Sequence, residues 1–119
     1  CYRAWKRGWK VVYDPNILLY HKHRATIETL LSPDKLKQVT ARNSYLFLWK
    51  NLTDGRAWAE HLYYAPLWIL RDLAMCRWRF PMGFAMALSR LPSVLRSRIR
   101  QRPHFCRSDR AVLDAQGKN

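Results

Sequence analysis

The fold turns on the stretch Trp9-Lys10-Val11-Val12-Tyr13-Asp14-Pro15-Asn16-Ile17-Leu18-Leu19-Tyr20. Two runs rich in β-branched and aromatic residues, 9–13 and 17–20, flank the turn signal Asp14-Pro15-Asn16, which is the pattern of two short extended segments. Their almost continuous apolar character fits strands buried on both faces, as in the sheet of an α/β protein. Two such segments cannot close a sheet alone, so this reading places the remaining strands upstream of Cys1 and treats the chain as a fragment.

Working outward towards the N-terminus, Lys6-Arg7-Gly8 is a helix stop, with cations near the last carbonyls followed by a residue free to turn left-handed. Towards the C-terminus, Ser32-Pro33-Asp34 is a cap with proline in the first turn, and it predicts a long helix. On that helix Leu36, Val39 and Leu46 share a face at helical spacing, with Asn43 in its middle, a polar group that needs a partner. Residues 51–55 supply a break. A second helical region is expected over about 56–79, kinked or restarted at Pro66, then a third over 81–91, and Pro92 opens a short fourth.

The chain has 119 residues, of which 22 are Lys or Arg and 8 Asp or Glu, for a net charge of +14, while 49% are hydrophobic. High charge of one sign requires an anionic partner, and the apolar content excludes a disordered basic arm. Together they favour helices lying in a lipid headgroup layer, apolar side down and arginines reaching phosphates. The longest uncharged stretches, 62–70 and 80–89, fall short of the roughly 20 residues that a spanning helix needs. Packing of the same helices against a partner surface remains an open alternative. So does nucleic-acid binding through backbone phosphates, although the basic residues are scattered through apolar segments and no nucleic-acid motif is present. Cys1, Cys76 and Cys106 are odd in number and widely spaced, which indicates neither a disulfide framework nor a zinc site.

Several motifs occur in one order. Cys1-Tyr2-Arg3-Ala4-Trp5-Lys6-Arg7-Gly8, running into Tyr13-Asp14-Pro15, resembles the helix and strand that follow the Glu-Asp motif in family 2 glycosyltransferases. The apolar run ending in His21, followed by Ala25-Thr26, resembles their next strand. Arg42-Asn43 with Phe47 resembles the Arg-Asn pattern of the following helix, and Arg107-Ser108-Asp109-Arg110 resembles a tail motif of rhamnosyltransferase-like members.

The resemblance implies an α/β fold: the C-terminal piece of a GT-A nucleotide-sugar domain over residues 1–31, a mainly helical, amphipathic region over 32–103, and a weakly ordered basic tail over 104–119. It implies a parent enzyme that transfers a sugar from a nucleotide-sugar donor to a polysaccharide or lipid-linked acceptor, with a divalent Mg or Mn ion, at the cytoplasmic face of an anionic membrane. His21, and more weakly His23, would touch the metal or donor diphosphate; Lys22 and Arg24 would contact phosphate; Arg42 and Asn43 would brace the acceptor side. The donor motif and the catalytic carboxylate would both precede Cys1, so the fragment by itself should not transfer sugar.

Overall fold

The computed structural model describes residues 1–12, 14–18, 20 and 30–116. Helix α1 (Tyr2–Lys6) ends where expected. Gly8 has φ +77°, its N–H donates to the Trp5 carbonyl at 2.9 Å, and the N–H of Trp9 donates to the Ala4 carbonyl at 2.9 Å. This is a Schellman stop, which satisfies two carbonyls that the last turn would otherwise leave free.

Among the described residues the two strands are absent. Among the described residues every regular element is helical, and the α/β expectation for 1–31 is corrected to an all-helical fold. An extended run becomes a strand only when a neighbour completes its hydrogen-bond ladder, and the described parts of 9–20 have no such neighbour. Their side chains lie on the surface: Val12 is 80% and Tyr20 92% exposed. β-Branched composition reported a local preference without the tertiary partner that would realise it.

Helix α2 (Pro33–Asn51) starts as the sequence predicts, with Ser32 Oγ accepting from the Lys35 N–H and proline in the first turn. Its buried face differs from the expected one. Ala41, Tyr45 and Trp49, four residues apart, are buried, whereas Asn43 is exposed. The reason lies in α4 (Arg79–Leu88), which crosses α2 so closely that a Cβ on Gly83 would sit 2.6 Å from Ala41 Cβ and 2.9 Å from the Arg42 backbone nitrogen. Small residues set this crossing, and the larger apolar residues flank it.

Helix α3 (Gly55–Ala74) runs through Pro66 as one helix, so of the expected kink or restart there the restart does not occur. It stops at Cys76, which adopts φ 52°, a left-handed conformation that glycine usually fills. Helix α5 (Leu91–Gln101) begins with proline in its first turn, and a short 3-10 turn (Arg102–His104) follows it. The core gathers Tyr45, Trp49, Ala87 and Val94, with Phe84 meeting Tyr45 edge-on at 5.3 Å and Trp49 at 5.8 Å between ring centroids.

The tail carries a helix of its own. Helix α6 (Asp109–Gln116) packs on α1, with Val112 and Asp109 buried. The Lys6 carbonyl accepts the backbone N–H groups of Cys106 at 2.8 Å and Arg107 at 3.1 Å. Tail residues therefore close on the first helix and do not trail from the last one.

Candidate functional site

Helix α3 carries Trp58, His61, Leu62, Ala65, Pro66, Ile69 and Leu70 along one stripe, at the three- and four-residue spacing that aligns side chains on a helix. Opposite it stand Phe84 and Leu88 of α4 and Leu91, Leu95 and Arg98 of α5, with Trp49 of α2 at the floor. Between them lies an open groove of about 630 Å³, within the range of roughly 300–1,000 Å³ typical of small-ligand sites. The lining is almost wholly apolar because its polar atoms are already engaged. The Trp49 indole N–H donates to His61 Nε2 at 2.9 Å, and that of Trp58 donates to the Leu52 carbonyl at 3.1 Å. A ring nitrogen that accepts is unprotonated, so His61 is neutral there; burial holds its pKa below the usual value, in the same direction.

Among the described residues Arg98 is the one charged side chain in this lining. One guanidinium nitrogen donates to the Trp49 carbonyl at 2.8 Å, and the group lies over the Trp58 ring at 5.2 Å. Among the described residues it forms no ion pair. Burial, then the like charge of Arg102, pull its pKa down, and Asp109 opposes them only in part. The groove thus offers a hydrocarbon-compatible channel with a cation on its wall.

The exposed side of the same helices is unusually apolar. Tyr63, Tyr64, Leu67, Trp68 and Leu73 on α3 are exposed outside the groove lining, and Leu62 and Leu70 are exposed within it, together with Met75, Trp78 and Met82 beyond the helix. Arginines border them, Arg71 over Trp68 at 5.1 Å and Arg79 over Phe80 at 4.5 Å, so cationic heads sit at the margin of aromatic surface.

A second constellation is built around a buried ion pair. Lys6 Nζ pairs with Asp109 Oδ1 at 2.7 Å, with both side chains buried, and also donates to Thr53 Oγ1. The Tyr2 hydroxyl donates to the same carboxylate oxygen, while the backbone N–H groups of Thr53 and Asp54 each donate to Oδ2 at 2.7 Å. Burial alone would raise the pKa of Asp109, but the bonds from Lys6, Tyr2 and the two amides outweigh it and bring it to about 2. A carboxylate so saturated is a structural anchor and has no lone pair to spare for proton transfer. Burial, then the bond to Asp109, pushes the Tyr2 phenol up.

Of the residues singled out by sequence, His21, Lys22, His23 and Arg24 lie outside the described residues. Arg42 and Asn43 are brought together: Arg42 Nε and Nη2 donate to Asn43 Oδ1 at 3.1 and 2.9 Å, on the exposed side of α2. Asn43 therefore finds its partner in its neighbour and not across a buried face. Neither Lys6, which has the ordinary character of a helix-end cation, nor Asp109, which sits within the Arg107–Arg110 motif, is marked as a buried partner by the sequence. The groove, which the sequence expectations do not include, has its signal in the stripe from Trp58 to Ile69 and in the position of Arg98 seven residues after Leu91 in an otherwise apolar row. Among the described residues no group of three His, Cys, Asp or Glu side chains could hold a metal. No helix among them is long and apolar enough to cross a membrane.

No protein-family model, curated protein or solved structure matches this chain.

Proposed function

We propose that this chain is a membrane-docking helical portion of a family 2 glycosyltransferase, seating the enzyme on an anionic lipid surface beside a polysaccharide or lipid-linked acceptor. The observation that carries the docking part is the outward apolar face of α3, continuous with the α3–α5 groove and bordered by Arg71 and Arg79. Apolar side chains at this density gain by entering the acyl boundary, and guanidinium groups at their margin match headgroup phosphates. The net charge of +14 adds long-range attraction to such a surface. The enzymatic part is supported by the ordered sequence motifs at Cys1–Gly8, His21, Arg42-Asn43 and Arg107–Arg110. Nucleotide-sugar donor, acceptor and any Mg or Mn ion would be handled chiefly by residues of the parent outside this chain. Confinement to a surface would supply the positional advantage of a shorter acceptor search.

Co-sedimentation of the chain with phosphatidylglycerol vesicles and with neutral phosphatidylcholine vesicles, at low and high salt, tests the docking. Binding that needs anionic lipid and weakens with salt is expected. Absence of binding by folded protein, or salt-sensitive binding to single-stranded RNA in its place, would transfer the reading to a protein or nucleic-acid partner. In the intact parent, His21→Ala is expected to reduce turnover sharply, and unchanged transfer would remove His21 from the site.

A further inference from the structure

An apolar groove and a surface that rests on lipid are different things: a flat face needs only contact, whereas a groove accepts an object. The α3–α5 groove is lined by hydrocarbon and aromatic surface, yet Arg98 stands in its wall with no ion pair among the described residues. A partly buried cation beside an apolar channel is matched by an anion that carries a long apolar chain. Neither a neutral hydrophobe nor a bare phosphate satisfies both halves.

We propose that the groove takes one acyl chain of an anionic phospholipid from the bilayer, with the chain between α3 and α5 and the phosphate paired to Arg98. The inference deepens the docking reading and rests on it, since the bilayer is the source of the lipid. Arg98 is prepared for this role. Its bond to the Trp49 carbonyl and its stacking on Trp58 fix the guanidinium plane, and nitrogens not used in that bond remain to meet phosphate oxygens. Leu62 lines the same groove from an exposed position, which makes it a suitable place to alter charge without disturbing the core.

The chain supplies its own probes, because Trp49 and Trp58 line the groove and each indole N–H gives a distinct nitrogen-correlated proton signal. Titrating the full chain with decyl phosphate, below its micelle concentration, is expected to shift these two signals ahead of those of Trp9, Trp68 and Trp78. Inorganic phosphate and decyltrimethylammonium are expected to leave them in place. Leu62→Glu, which sets a carboxylate on the groove, is expected to weaken decyl phosphate binding about tenfold or more, while Leu62→Lys keeps it. Arg98→Lys should retain part of the affinity and Arg98→Gln little.

Unmoved Trp49 and Trp58 signals, or equal response to the cationic amphiphile, would overturn the groove assignment. Vesicle co-sedimentation of the same samples separates the two readings. Vesicle binding without groove shifts rejects the groove and keeps the docking, whereas groove shifts without vesicle binding reject the bilayer as the source.

Discussion

Asp109 shows how much of a structure can depend on one side chain that composition cannot reveal. It is 103 positions from Lys6, and between them they fasten α1, the connection after α2, and α6. Nothing in local sequence marks the pair, because a lysine at a helix end and an aspartate at a helix start each have an ordinary surface explanation. Only folding takes both out of water and obliges each to need the other. Asp109→Asn leaves the Lys6 ammonium buried without its counter-charge, and the expected loss is about 3–5 kcal/mol in chemical denaturation at neutral pH. Joint replacement, Lys6→Met with Asp109→Leu, removes both buried charges together but strands the Tyr2 hydroxyl and the Thr53 and Asp54 amides, so it is expected to remain strongly destabilising. The pH profile follows from the depressed carboxyl, which titrates near 2 in the folded chain against 3.8 when free. The stabilisation it contributes is complete above about pH 4 and is lost as pH falls through about 2. In Asp109→Asn this acid limb should flatten, and an unchanged limb would show that other carboxylates govern acid unfolding.

Among the elements, helix ends were legible and helix faces were not. Ser32-Pro33 and Gly8 act through bonds within a few residues, so their sequence carries the whole cause. The buried face of α2 depends on what α4 presents, and glycine and alanine at that crossing give no signal on a hydrophobicity count. The strands expected over 9–13 and 17–20 failed for the same reason in reverse, as apolar runs without a neighbouring ladder. Two left-handed or crowded positions provide a paired experiment. At Gly83 an added methyl would meet the backbone nitrogen of Arg42 and the carbonyl oxygen of Gln38 at 2.9 and 3.0 Å, and backbone cannot yield as a side-chain tip can. Alanine favours a helix over glycine by about 1 kcal/mol, yet overpacking costs about 1–3 kcal/mol, so Gly83→Ala is expected to lower the melting temperature. At Cys76, with φ 52°, the balance is opposite: Cys76→Gly relieves a left-handed strain of about 1 kcal/mol and should raise it. If instead Gly83→Ala raises and Cys76→Gly lowers the melting temperature, glycine content rather than geometry controls stability here.

The whole molecule is more open than its mass requires. Its radius of gyration is 16.8 Å, against about 13.5 Å for a compact chain of this length. Its accessible surface is 9416 Å², against about 6,800 Å² for a typical folded monomer of the same mass. That excess, about 2,600 Å² on one chain, is about three times the roughly 800 Å² that each partner gives to a standard interface. Such a surface is kept apart from its own copies by the +14 charge, a repulsion that salt removes. The screening length falls from about 10 Å at 0.1 M to about 3 Å at 1 M. Sedimentation should therefore show the chain near its 14.3 kDa monomer mass at low salt and associated at high salt. Trp68→Glu with Leu67→Glu, which interrupts the apolar face of α3, should restore the monomer. Anionic vesicles give the opposite sign, because there the same charge attracts and salt weakens the contact. A face that self-associates as salt rises while leaving anionic vesicles is behaving as a lipid-facing surface with an electrostatic guide. If association and vesicle binding rise together with salt, apolar area alone drives both, and the arginine border has no part in choosing the partner.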